Sequence, residues 1–221
     1  VPAPRRDLSL SGAIDAAIGF VKVMSSRRSI RAFSPEAFDM RLVQTALQAA
    51  NMAPSGANLQ PWHFVVVTDP KLKSRIREGA EREERAFYES RAGKEWLAAL
   101  EPLGTGWQKS FLEDAPVLIV VFEVHRSSGI PKPYYVKESV GIAVGFLLAA
   151  LHHAGLATLT HTPSPMKFLS EILGRPSNER PFVLIPVGKA AADAQVPDVS
   201  KKDLTEVTSW LPPADEGVQD S

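Results

Sequence analysis

The chain has 221 residues, enough to bury a substantial core. Its 25 lysines and arginines balance 25 aspartates and glutamates, so composition implies no broad cationic face for nucleic acid or an acidic membrane, while a small anionic ligand stays open. The absence of cysteine excludes disulfides, thiolate metal sites, iron–sulfur ligation and a cysteine nucleophile, so any redox chemistry must come from a cofactor.

Residues 12–24 carry the 3.6-residue spacing of an amphipathic helix, and Asp15 and Lys22 within it, with no cleavage-site pattern, argue against a signal peptide or anchor. A second helix is predicted from Pro35 or Met40 to Asn51, with Asp39 as its cap, and "NMAPSGANLQPW" ends it. "HFVVVT" reads as a short β-branched strand. Asp69 and Pro70 then supply a cap and a first-turn proline for a helix opening "KLKSRIREGA", with helical sequence running to about Leu100. A short helix is expected around Trp107 to Leu112, and "APVLIVVFEV" reads as a buried strand. The loop "HRSSGIPKPYY" leads to the longest apolar run, "VGIAVGFLLAALHHAGLA". This approaches the roughly 20 residues of a bilayer span, but Lys137 and Glu138 precede it and His152 and His153 interrupt it, so a helix in a soluble core is expected. "ATLT" and "FVLIPVG" read as two more strands around a short helix that ends at "LGRP". Strands scattered among helices without a repeat indicate one layered α+β or α/β structure. After Gly188 the chain turns polar, and such a tail is either disordered or laid across a partner.

Three stretches carry candidate chemistry. "SSRRSIRAFSP" interleaves Arg27, Arg28 and Arg31 with serines, the fixed donors that a phosphate ester requires, although a solvated basic turn has the same composition. "APSGANLQPW" offers a hydroxyl and open backbone N–H groups beside Trp62. In "EERAFYES", Glu84 and Tyr88 share a helical face by their four-residue spacing, and Lys109 follows in "GTGWQKS". A metal site from the five histidines is not expected, because only His152 and His153 are adjacent and helical neighbours point about 100° apart.

Taken together, "RRSIR", "PSGAN", "GLATLTHTP", "LGRP" and "PVG" resemble the FMN-dependent nitroreductase superfamily in order and spacing, from about residue 20 to residue 209. Within it, Glu84, Tyr88 and Lys109, with "WQKSFLEDAPVLIVVF", "ESVGIAVGFLLAAL", "HAGL" and "VPD", resemble the iodotyrosine deiodinase subfamily. The resemblance implies an α+β nitroreductase-like fold with a central mixed β-sheet surrounded by helices. It also implies one domain over residues 1–221, a lid at about 81–110, and a homodimer exchanging a C-terminal arm at about 189–221.

The same resemblance implies FMN as cofactor, held by Arg27, Arg28, Ser29, Ile30 and Arg31, by Ser55 and Gly56 in a loop contributed by the second subunit or its neighbour, and by Thr160, His161, Thr162 and Lys201. Lys201 stands where an arginine is usual, keeping the charge but losing the fork, and His161 stands where threonine is common. Thr162 is implied as catalytic, its hydroxyl approaching flavin N5, and Ala57 as the residue whose N–H meets a phenolate oxygen. Glu84, Tyr88 and Lys109 are implied to grip a halotyrosine zwitterion, with NAD(P)H or a reductase as electron source. The expected setting is cytoplasmic, without nucleic acid or membrane. A general NAD(P)H-dependent nitroreductase or quinone reductase, and a flavin-binding module without turnover, remain open alternatives at this stage.

Overall fold

A computed structural model describes residues 2–125 and 133–211. Part of the predicted loop "HRSSGIPKPYY" and the last ten residues of the expected arm lie outside the described residues.

Side chains alternating between two faces of the central strands build the fold. Strands β1 (Trp62–Val67), β2 (Val117–Val124), β3 (Ala157–Thr158) and β4 (Glu179–Gly188) form one sheet in the order β1-β2-β4-β3, with every named pair antiparallel. The parallel element of the expected mixed sheet is an isolated bridge between Ser29 and Thr158. Alternate residues of β2 enter two different cores. Val117, Ile119 and Val121 face one, with Val183, Ile185 and Val187 of β4; Leu118, Val120 and Phe122 face the other, with Leu184. Both faces are therefore covered, and β2 reads as a continuous apolar run rather than an alternating one.

Helices α2 (Arg41–Asn51) and α6 (Val136–His153) cover the first face, and their contacts are extensive. The second face is covered by α3 (Pro70–Ala86), α5 (Phe111–Asp114) and α7 (Lys167–Ile172). Helix α1 (Leu10–Ser25) buries none of its residues. Its last turn is tied to α6, because His152 Nε2 lies 2.9 Å from the Val23 carbonyl and 3.0 Å from Ser26 Oγ. Among the described residues, no helix is long and apolar enough to cross a membrane.

Local signals set the element ends. The Asp69 carboxylate accepts from Leu72 N–H at 2.9 Å and Pro70 occupies the first turn, as expected. Asp39 accepts from Arg41 N–H at 2.8 Å, which sets the start of α2 at Arg41 rather than at Pro35. The helix predicted around Trp107–Leu112 instead spans Phe111–Asp114. Its first bonds run from Leu112 N–H to the Lys109 carbonyl at 3.0 Å and from Glu113 N–H to the Ser110 carbonyl at 2.8 Å, while the Lys109 N–H donates outward to the Glu81 carboxylate at 2.8 Å. Beyond α3, the expected continuous helix breaks into a π-turn, Phe87–Arg91, closed by Ala92 N–H on the Phe87 carbonyl, before α4 (Lys94–Leu100). The polar tail carries a short helix, α8 (Leu204–Val207), started by a capping box between Asp203 and Glu206.

Candidate functional site

The segment after α1 runs beside β3. Ile30 N–H donates to the Thr158 carbonyl at 3.0 Å, and an Arg28 guanidinium nitrogen donates to the Pro197 carbonyl, which brings the polar tail against it. The result is a cleft of about 480 Å³ with Arg27, Arg28, Ser29 and Arg31 on one wall and Val196, Pro197, Val199 and Lys201 on the other. Among the described residues, no carboxylate lines it. That donor set fits a phosphate monoester: permanent cations, hydroxyls and no competing anion. Ile30, predicted among the cofactor residues, is partly buried against the core on the α3 side and lines a neighbouring cleft with Arg27 and Arg28 rather than this one.

Arg31 also lines a second cleft of about 340 Å³, so the two open onto one residue. Burial lowers the Arg31 guanidinium from its ordinary value, against a raising effect of Tyr88. The second cleft brings together Glu84, Tyr88, Lys109, Thr160, His161 and Thr162, which come from the α3 end, the 104–111 segment and the strand-like 159–162 stretch.

Its roof is a zipper. Arg77, Glu81, Glu84 and Tyr88 recur at 4-3-4 spacing, which puts them on one helical face, and each meets a point on the 105–113 segment running the opposite way. Arg77 Nη1 reaches Glu113 Oε2 at 3.2 Å, Glu81 accepts Lys109 N–H at 2.8 Å, Glu84 Oε2 meets Lys109 Nζ at 3.0 Å, and Tyr88 OH meets Thr105 Oγ1 at 2.9 Å. Lys109 is 5% exposed. Its ammonium also donates to the Gly106 carbonyl at 2.5 Å and stands 5.9 Å from the Tyr88 ring centroid. A buried ammonium and a partly buried carboxylate thus satisfy each other at the cleft wall.

Opposite the roof, His161 exchanges two backbone hydrogen bonds with Leu184, both 2.9 Å. This pairing leaves its neighbours Thr160 and Thr162 exposed at the cleft while the imidazole turns inward. The ring sits edge-on to Phe111 at 5.6 Å, and its Nε2 is buried with no hydrogen-bond partner among the described residues. Burial first, then the charges of Lys109 and Arg31, push its pKa down to about 3, so the ring is neutral near pH 7. The second cleft shares Arg31 with the cationic one and presents the exposed Thr160 and Thr162 beside it, a donor set that fits a ligand with a phosphate and a flat polar ring.

The Ser55–Ala57 loop is elsewhere. It forms a single 3₁₀ turn in which Ser55 Oγ accepts from Gln60 N–H at 3.0 Å, and Ala57, Asn58 and Gln60 all hold positive φ. A Cβ on Gly56 would lie 3.1 Å from the Tyr134 ring. None of Ser55, Gly56 and Ala57 lines either cleft within this chain. Sequence reading also passed over Arg77, Glu81 and Thr105. The 77-81-84-88 spacing was the signal that could have found the first two, whereas Thr105 is reached only through the fold.

Comparison with known proteins places these observations. A sequence model described as the nitroreductase family matches residues 24–189. The iodotyrosine deiodinase of Haliscomenobacter hydrossis is 53% identical over 192 residues, which cover 85% of this chain and 86% of that protein. Iodotyrosine deiodinase 1 of Mus musculus is 46% identical over 195 residues, covering 85% of this chain and 68% of that one. A crystal structure of oxidized iodotyrosine deiodinase bound to FMN and 3-iodo-L-tyrosine superposes with a TM-score of 0.75 at 34% identity, covering 86% of this chain and 100% of the other.

Proposed function

The chain belongs to the nitroreductase family, on its iodotyrosine deiodinase branch, and from that premise we propose that it is an FMN-dependent oxidoreductase that dehalogenates free halotyrosines such as 3-iodo-L-tyrosine, releasing tyrosine and halide. The single observation that carries this reading is the meeting of Glu84, Tyr88 and Lys109 in a cleft that shares Arg31 with the cationic one. FMN, when bound, supplies the two electrons that, with one proton, replace the carbon–halogen bond by carbon–hydrogen.

The residues of the chain hold and position. Arg27, Arg28, Ser29 and Lys201 suit the phosphate of the cofactor, and Arg31 lies where that cleft turns toward the substrate. Thr160 and His161 line the ring side, and Thr162 offers an exposed hydroxyl, the role we assign to it as catalytic residue. Glu84 takes the substrate ammonium and Lys109 its carboxylate, while Tyr88 donates a hydrogen bond to the same carboxylate. Within the chain the two charges pair with each other at 3.0 Å. A zwitterion lets each exchange one opposite charge for another, so no charge is left buried alone. A ligand with only one charge leaves its other receptor unpaired, which costs several kcal/mol. Folding of the lid, residues 81–110, over the substrate then excludes water from the reacting carbon.

The proposal extends to a single FMN-binding domain across residues 1–221, a homodimer, an arm at about 189–221 and a cytoplasmic setting with NAD(P)H or a reductase as electron source. Support for the dimer comes from Leu10, Ile14, Ile18 and Val21 on α1 and Ile142 and Phe146 on α6, apolar side chains left exposed in one chain. In such a dimer Ser55, Gly56 and Ala57 would serve the partner's cleft, the Ala57 N–H meeting the phenolate oxygen. The test is a single anaerobic turnover: reduce the FMN-loaded protein, add 3-iodo-L-tyrosine, and measure iodide and tyrosine. Equimolar products with flavin reoxidation are expected, and flavin that stays reduced with no iodide would refute the reading.

A further inference from the structure

We infer that Glu81 is a positioning residue of the substrate clamp: it fixes the Lys109 backbone so that the Lys109 ammonium can exchange Glu84 for a ligand carboxylate without release of the 105–113 segment. The inference rests on the halotyrosine reading above and concerns a residue that does not line the substrate cleft.

Glu81 and Glu84 lie one helical turn apart on α3, and both meet Lys109, at different atoms. Glu81 Oε1 accepts the backbone N–H at 2.8 Å; Glu84 Oε2 takes the ammonium at 3.0 Å. When a zwitterion binds, only the second contact has to change. The first is held from behind, because Glu81 Oε1 also accepts from Arg77 Nε at 2.8 Å and Arg77 in turn reaches Glu113. Burial tends to raise the Glu81 carboxyl, but the Lys109 N–H and the Arg77 guanidinium outweigh it and keep the group below its ordinary value. It is an anion near neutral pH. Without it, the Lys109 N–H would lose its acceptor in a mostly buried position, and the segment would have to move to satisfy it.

A purely structural role for Glu81 is separable, since another residue staples the same elements. Lys73, 8% exposed, donates from its ammonium to the Glu113 and Ala115 carbonyls, each at 2.8 Å. That connection between α3 and the end of α5 does not involve Glu81.

The experiment compares Glu81→Ala and Glu81→Gln with wild type, all FMN-loaded and homogeneous, by calorimetric titration with 3-iodo-L-tyrosine, FMN affinity, and amide hydrogen exchange at Lys109. Glu81→Ala is expected to weaken halotyrosine about 10- to 100-fold, the range for a lost charge-assisted hydrogen bond, with FMN affinity changed less than about twofold. Glu81→Gln keeps an acceptor for the N–H and should recover most of the loss. In a Lys109→Ala background, Glu81→Ala should weaken halotyrosine no further. Unchanged affinity in Glu81→Ala, equal loss in both Glu81 variants, or an additive loss in the Lys109→Ala background would overturn the inference. If the wild type itself binds no halotyrosine, the dehalogenase reading falls and the exchange measurement decides alone: faster exchange at Lys109 in Glu81→Ala upholds the positioning role, and an unchanged rate overturns it.

Discussion

Replacing His161 with threonine should flatten the acid side of the stability profile. In the folded chain the imidazole titrates near 3 against an ordinary value of 6.5, held down by burial and then by Lys109 and Arg31. The sign follows from proton uptake. Below pH 6.5 the unfolded chain binds a proton that the folded chain refuses until about pH 3, so stability is complete above 6.5 and falls through that interval. Each pH unit inside the interval costs ~1.4 kcal/mol, and integration from about pH 7.5 to pH 5 gives about 2 kcal/mol lost through this one group. For a chain of this length, that corresponds to a melting point lower by roughly 4–8 °C. The assay is urea unfolding of ligand-free wild type and His161→Thr at both pH values, comparing how much stability each loses. Threonine has no group titrating in that range, so the variant should lose about 2 kcal/mol less than wild type. Parallel losses would show that His161 is protonated at ordinary pH in the folded protein, and the buried, neutral imidazole would be wrong.

Other outcomes follow from single contacts. Arg28→Ala should weaken FMN about tenfold or more through loss of a guanidinium from the cationic cleft, read by equilibrium dialysis. Lys201→Arg should tighten FMN by a few-fold, because it restores a two-pronged donor at the same wall, and weaker binding would contradict that account. A methyl group on Gly79 would lie 2.4 Å from the Phe168 ring, so Gly79→Ala should destabilise by about 1–3 kcal/mol in denaturant unfolding despite its better helix propensity. As pH falls through the depressed Glu81 pKa, the stability contributed by that carboxylate is lost. The protection factor of the Lys109 amide, its exchange rate divided into the intrinsic rate at the same pH, should therefore fall as pH drops below the ordinary carboxylate value of 4.5.

Local chemistry made much of the fold legible in the sequence. The β-branched runs of β1, β2 and β4, the Asp69–Pro70 start of α3 and the apolar α6 each carry their signal within a few residues. The misplaced short helix before β2 shows where such reading ends. It opens only with the bonds to the Lys109 and Ser110 carbonyls, and the segment leading into it is held by Glu81, 28 residues from Lys109, a contact that no local window contains. The π-turn at Phe87–Arg91 likewise has no signature distinct from ordinary helix. Site residues divide in the same manner. Glu84 and Tyr88 share a face by spacing alone, but their meeting with Lys109 and with the 159–162 stretch is a tertiary event. Ile30, flanked by residues of the cationic cleft, packs partly against the core because neighbouring side chains of an extended segment point to opposite sides.

The central claim is that Glu84 and Lys109 form a receptor for a zwitterion. The affinity of FMN-loaded wild type, Lys109→Ala and Glu84→Gln for 3-iodo-L-tyrosine, measured beside FMN retention, tests it directly. Each substitution leaves one charge of the 3.0 Å pair, the buried ammonium or the partly buried carboxylate, without its partner, so halotyrosine binding should weaken by about 100-fold or more while FMN stays bound. Wild-type affinity for halotyrosine, or FMN lost in step with it, would contradict the account.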